Sequence, residues 1–286
     1  MKMICKFLIV ILFFSMATVY ADTTSNQDLA SVFTDPRLET RIKKLLYKGH
    51  VLLEPIPVED LKGLIKFDIS YELFTDLTGL EYCTNLEELY LKNYFKDKSD
   101  EITDLSPLSE LDKLKVLRIQ NNKITDISPL STLVNLEELY LNDNGITDLP
   151  DLSTLVNLKK LDLNGNGITD ISPLSTLVNL EWLNLYDNKI TDISPLSQLV
   201  NLKDVNLNSN GITDLPDLST LVNLKWLNLR DNKIANVSPL LSLPGISKDD
   251  SRELVLVLID LDRNELSRDS IMIYIPLLEE RVKVEW

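Results

Sequence analysis

Histidine is almost absent: His50 is the only one in 286 residues. That removes most His-based catalysis and most zinc sites, and because this one histidine falls in the expected cap region no Ser/His/Asp set can be built around it. Cysteine is nearly as scarce, and Cys5 and Cys83 cannot build a disulfide scaffold. Positive charge is in deficit. Lys and Arg number 29 against 44 Asp and Glu, a formal charge of −15. A phosphate-backbone partner requires clustered positive charge, so no nucleic-acid partner is expected. Long hydrophobic runs are missing after the first residues, so no stable membrane insertion is expected. What is present is an ordered composition, 44% apolar, enough for one elongated domain or two compact ones.

The N-terminus has the three parts of a secretory signal peptide. Lys2 and Lys6 open it, Phe7 to Phe14 is unbroken apolar sequence, and Val19 and Ala21 place small residues before a cut at Asp22. The apolar stretch is shorter than the roughly 20 residues of a membrane span. Residues 1–21 are therefore expected to be cleaved, giving a protein of the secreted space or cell envelope (periplasm or cell surface). Removing two lysines and no acid takes the charge from −15 to −17 and leaves Cys83 as the single cysteine.

A 22-residue period dominates the rest of the chain. Leu114, Leu136, Leu158, Leu180, Leu202 and Leu224 each open the pattern L-x-x-L-x-L-x-x-N-x-I, with weaker copies from Leu64, Leu86 and Leu256. Each copy cannot bury its apolar face alone, so the period predicts a stacked solenoid. The alternating x-L-x-L segment predicts a short strand, and stacking predicts a parallel sheet. Asn122, Asn144, Asn166, Asn188, Asn210, Asn232 and Asn264 are expected to form an internal amide ladder where the chain turns. The next segment, I-T-D-I-S-P-L-S, predicts a short 3₁₀ turn on the convex side, with Ser as its cap.

The segments from Asn122 and Asn188, Asn-Lys-Ile-Thr-Asp-Ile-Ser-Pro-Leu-Ser-x-Leu-Val-Asn-Leu, resemble the 22-residue leucine-rich repeat of bacterial internalins. Leu77 to Leu86 resembles the opening repeat of such secreted proteins, and the tail from Asn264 resembles their closing segment. The resemblance spans roughly residues 64–286. It implies an α/β fold: a right-handed leucine-rich-repeat solenoid with a parallel concave β-sheet that binds other proteins, and a helical N-terminal cap. No immunoglobulin-like module, wall-sorting signal or cell-wall-binding repeat is seen in the sequence.

The ends of a solenoid expose core and need covers. Residues 36–48 read as an amphipathic helix with Leu38, Ile42, Leu45 and Leu46 on one face and Gly49 at its end. Ile271, Tyr274, Ile275 and Leu278 suit a short helix at the far end, before an extended Val282-Val284-Trp286. The expected organisation is a signal peptide at 1–21, a leader and N-terminal cap at 22–63, about nine repeat strands over 64–266, and a C-terminal cap at 267–286. Asp22 to Thr34 is expected to be a mobile leader.

Chemical-looking motifs have plainer readings. Asp162 to Gly167 opens like a calcium loop with Pro173 at its closing acid position, and Asn206 to Gly211 opens similarly with Asp217 at the closing position, but Leu163, Leu207, Asn166 and Asn210 are already required by the repeat. No metal and no cofactor are expected. Asp126, Asp148, Asp170, Asp192 and Asp214 recur once per repeat, as turn residues bonding local backbone would. Cys83 aligns with core leucines such as Leu111 and Leu133, so a buried thiol is expected. His50 reads as a solvated loop residue. Glu87, Lys115, Glu137, Lys159, Glu181 and Lys203 alternate in sign on successive strands, which suits sheet registration.

The concave face is the candidate site. Its outward columns carry Trp182, Asp204 and Trp226; Tyr90, Tyr140, Asn184, Asn206 and Asn228; and Tyr186 and Arg230. Exposed tryptophans are enriched in binding hot spots. A monomeric, non-catalytic scaffold holding a protein ligand rich in exposed Lys or Arg is expected. Glycan binding, with indoles stacking on sugar rings and asparagines reading hydroxyls, is the second reading. An enzyme and an intracellular phosphatase regulator are weaker alternatives, disfavoured by the missing catalytic set and by the signal peptide. Residues Tyr94 to Asp100 and Pro244 to Arg252 are extra to the period and read as tolerated insertions.

Overall fold

The computed structural model describes residues 31–48, 54–70, 74–93, 101–244 and 258–286. The signal segment, Cys5, Gly49, His50, Leu256, Tyr94 to Asp100, and Pro244 to Arg252 except Pro244 itself lie outside the described residues.

Each repeat contributes a three-residue strand: β1 Lys66–Asp68, β2 Glu88–Tyr90, β3 Val116–Arg118, β4 Glu138–Tyr140, β5 Lys160–Asp162, β6 Trp182–Asn184, β7 Asp204–Asn206, β8 Trp226–Asn228 and β9 Leu258–Asp260. A tenth, β10 Lys283–Glu285, comes from the C-terminal cap. All ten pair in parallel in chain order. The middle residue of each repeat strand points inward, and those from Phe67 to Ile259 are essentially solvent-free. With the Leu and Ile columns of the turns they form one continuous core. Cys83 is part of it, and burial pushes its thiol up to about 12.

The convex side carries 3₁₀ turns at Leu80–Tyr82, Ser106–Leu108, Ser128–Thr132, Ser172–Thr176, Ser194–Gln198 and Ser238–Ser242. Their cap differs from the expected serine. Asp126 Oδ1 accepts the Ser128 N–H at 2.8 Å, and Asp170 and Asp192 do the same for Ser172 and Ser194. The repeats with Leu-Pro-Asp form no 3₁₀ turn there. Pro150 stands one period after Ser128, and proline has no N–H to offer. Asp148 and Asp214 therefore take a threonine hydroxyl, and Asp151 and Asp217 accept the N–H of Ser153 and Ser219.

The N-terminal cap is α1 Pro36–Leu46, with Asp35 accepting the Arg37 N–H, followed by α2 Val58–Leu61. Leu38 and Ile42 are buried as expected from their spacing, but Leu45 faces solvent, and Lys48 is left-handed at φ 51°. The expectation of a mobile leader fails at its end. Phe33 is buried, and its ring packs so closely on Gly79 that a Cβ there would lie 2.4 Å from it. At the far end a π-helical turn, Ser270–Tyr274, leads into α3 Ile275–Glu279. Ile275 and Leu278 are buried over the last strands, whereas Ile271 is exposed. Ser270 Oγ donates to Ala235 O at 2.6 Å and accepts from Val237 N, tying this cap to the last full repeat.

Candidate functional site

Two amide ladders hold the strands in register. In the inner one, Asn188 Nδ2 donates to Leu163 O of the preceding repeat and to Leu185 O and Tyr186 O of its own, while its Oδ1 accepts from Ile168 N. Asn122, Asn144, Asn166, Asn210, Asn232 and Asn264 make the same kind of bonds to the preceding repeat. The residue before each ladder position is left-handed: Asn121, Asp143, Gly165, Asp187, Ser209, Asp231 and Arg263. The outer ladder is formed by Asn135, Asn157, Asn179, Asn201 and Asn223, each donating to a carbonyl of the preceding repeat. Sequence reasoning missed it, although its Asn recurs in every Leu-Val-Asn-Leu. On the strand flank the alternating charges close as pairs: Lys115–Glu87 at 2.8 Å, Lys159–Glu137 at 2.7 Å and Lys203–Glu181 at 2.7 Å.

On this frame the N-terminal half of the concave face is a closed network. Lys66 pairs with Glu88 at 2.6 Å, and Tyr90 donates its hydroxyl to the same carboxylate. The Arg118 guanidinium lies 5.6 Å from the Tyr90 ring centroid and 4.2 Å from that of Tyr140. Glu138 accepts from Tyr140 and pairs with Lys160 at 2.8 Å and Arg118 at 3.4 Å. Burial alone would raise the Glu138 carboxyl, but Lys160, Tyr140 and Arg118 hold it below its usual range. Burial, then the Glu138 charge, pushes the Tyr140 hydroxyl up to about 12. Tyr140 stacks obliquely on Trp182, centroids 6.3 Å apart. In the register, Asp162 lies on the strand between those of Tyr140 and Trp182, and it is buried.

The C-terminal half is more open. Trp182, Asp204 and Trp226 are neighbours in the strand register. Both indoles are half-buried, and Tyr186, just past β6, is 40% exposed. Asn184, Asn206 and Asn228 each use Oδ1 to accept the N–H two residues on, closing a turn at the strand end. Arg230 is held by Asp262 at 3.0 Å. The structure thus brings Tyr90, Tyr140 and Trp182 into one aromatic run through Arg118, sets Trp226 two strands beyond, and directs Arg230 to acids at the C-terminal end. The calcium-like segment is absorbed by the repeat. Asp162 accepts from Asn164, Asn166 belongs to the ladder, and Gly165 is a left-handed corner. Among the described residues no group of three or more Asp, Glu, His or Cys is placed to hold a metal.

A family model for leucine-rich repeats in two copies matches residues 134–176 and 178–220. The crystal structure of an internalin, InlF, from Listeria monocytogenes aligns with 91% of this chain and 72% of its own at 30% identity, with a TM-score of 0.76. The chain belongs to the internalin-like leucine-rich-repeat family. A second Listeria monocytogenes internalin, internalin C2, matches at 30% identity over 80% of this chain and 94% of its own, TM-score 0.68. A leucine-rich-repeat protein of Leptospira interrogans matches at 27% identity over 81% and 63%, TM-score 0.65. No curated protein sequence matches the chain. The internalin-like repeat is a scaffold commonly used for protein binding, and its members are generally non-catalytic. Among the described residues of this member, no helix is long and apolar enough to cross a membrane.

Proposed function

We propose that this internalin-like protein is a secreted or cell-envelope scaffold, without catalytic activity, that binds a protein ligand across its concave face. The observation that carries this reading is the aromatic run at the middle of the sheet. Tyr140 and Trp182 stack, Trp226 lies two strands on, and Tyr186 stands exposed beside them. Large amphipathic rings on a preorganised sheet lose little conformational freedom on binding, as hot-spot residues do. The negative charge favours ligands with exposed Lys or Arg and speeds their encounter, an effect that salt weakens.

The glycan reading finds less support. The oxygens of Asn184, Asn206 and Asn228 each already accept one backbone N–H, so half of their acceptor capacity is taken up in closing the strand-end turn and is withdrawn from sugar hydroxyls. Secretion rests on the N-terminal sequence and is tested by mapping the N-terminus of the exported chain, expected at Asp22. Binding is tested by capture with residues 22–286, comparing wild type with a Trp182→Ala/Trp226→Ala double variant of unchanged circular dichroism. A ligand retained by the first and lost by the second supports the reading. Equal retention by both defeats it.

A further inference from the structure

The two halves of the concave face solve one problem differently. In the N-terminal half a cation sits between aromatic rings: Arg118 on β3 lies between Tyr90 on β2 and Tyr140 on β4, with the Glu138 carboxylate 3.4 Å from its guanidinium. Four strands further on, one column nearer the strand start, the aromatic pair returns in stronger form. Trp182 on β6 and Trp226 on β8 flank β7, and tryptophan is the best ring for a cation. Here the residue between them is Asp204 rather than an arginine. The arrangement has the rings and the carboxylate but not the cation.

Nothing else among the described residues supplies it. The Asp204 carboxylate forms no hydrogen bond or ion pair with any described residue, and it is only half-exposed. Of the cations nearby in the repeat pattern, Lys203 is paired with Glu181 at 2.7 Å and Arg230 with Asp262 at 3.0 Å, and Lys225, beside Trp226 in the Lys203 column, is exposed and forms no ion pair with Asp204. Lys160, two strands before Asp204, is bound to Glu138 at 2.8 Å. The strands bearing the two indoles are separated by about 9–10 Å, two strand spacings. That backbone separation admits one flat group between side chains standing on β6 and β8, with the Asp204 column beneath it, while Trp182 stacks on Tyr140 on its other side.

We infer that Trp182, Asp204 and Trp226 form a clamp for an arginine side chain of the protein ligand. A guanidinium is planar, so it can lie against indole faces and still present paired N–H donors to one carboxylate. It is also more weakly hydrated than an ammonium, so entering a half-buried slot costs it less. Lysine can satisfy the charge but not the plane. The clamp rests on the concave-face reading above and names the group that the face would hold.

The test uses the indole fluorescence of the full chain in a Trp286→Phe background, because Trp286 is exposed at the far end and only hydrogen bonds to Glu279. Three pentapeptides are titrated: Gly-Gly-Arg-Gly-Gly, its lysine counterpart and its citrulline counterpart, which keeps the shape and lacks the charge. Saturable quenching is expected in the order arginine, lysine, citrulline. Asp204→Asn is expected to weaken the arginine peptide by roughly tenfold, the scale of a lost charge-assisted hydrogen bond. It should leave the citrulline response unchanged. Equal responses to arginine and citrulline, or an Asp204→Asn protein that binds arginine as wild type does, would overturn the clamp. The capture assay separates the two readings. A ligand lost with both tryptophans but kept by Asp204→Asn retains the concave face and removes the clamp, whereas a ligand kept by both variants removes both.

Discussion

Asp162 occupies the strand position held by Asn184, Asn206 and Asn228 in the next three repeats, yet it is the one of the four that is buried. Burial raises its carboxyl, with the Asp143 charge adding to the effect, against the opposing pull of Asn164 and Asn184. A carboxyl raised on folding favours the fold while protonated. Its contribution is complete below its ordinary value of 3.8 and is lost as pH rises through the folded-state value. At neutral pH the ionised group is therefore a burden. An asparagine can keep the bond to Asn164 N, as Asn206 does to Asn208 N. Asp162→Asn is expected to raise the thermal midpoint at pH 7, with the gain shrinking to nothing in acid, below about the ordinary carboxylate range. A pH-independent effect, or a loss at pH 7, would contradict this account. The convex caps behave oppositely: Ser128 and Ser172 N–H groups hold Asp126 and Asp170 below the usual range, so their stabilisation is lost on acidification.

Within one repeat, the strand, the inner amide and the convex turn are tied by bonds of unequal worth. Asn188 is buried and satisfies one donor and three carbonyls, so removing its amide leaves backbone groups unpaired in the core. Asn201 sits on the exposed outer ladder with a single bond to Val178 O. Asn188→Ala is expected to cost about 2–3 kcal/mol and Asn201→Ala about 0.5–1 kcal/mol, the difference between an orphaned buried group and one that water can satisfy. Denaturant unfolding measures both; equal losses would mean that the ladders are equivalent. The period made the strands and the inner ladder readable, because one apolar column and one asparagine recur every 22 residues. Two things were hidden. The corner before each ladder residue is left-handed whether it is Asn, Asp, Gly, Ser or Arg, so no single residue type marks it. The missing 3₁₀ turns trace to Pro150 and Pro216 standing at a position that must donate an N–H, which a helix-start reading of proline inverts. On the concave face the columns were legible, but which side chains are already engaged was not. Arg118 and the tyrosine hydroxyls look available in sequence and are closed in space.

Across the whole molecule, each repeat touches mainly its neighbours, so stability is set by interfaces and by the covers at the two ends. The C-terminal cover is small. It consists of the buried pair Ile275 and Leu278, the Ser270 hydroxyl bonded to Ala235 O, and β10, whose Glu285 carbonyl accepts Leu261 N. Truncating a buried Ile or Leu to Ala costs roughly 2–5 kcal/mol. In a two-state globule that loss would be felt everywhere, but in a solenoid it should appear first as opening of the nearest repeat. An Ile275→Ala/Leu278→Ala variant is therefore expected to speed hydrogen exchange at Leu261 and Leu229, whose N–H groups bond Glu285 O and Asp260 O. Protection at Leu141 and Leu163, bonded to Asp162 O and Asn184 O, should change far less. The aromatic run from Tyr140 to Trp226 would then remain formed while the end frays. Exchange that accelerates equally along the sheet would instead show one cooperative unit, and the end cover would be as important to the binding face as the repeats beneath it.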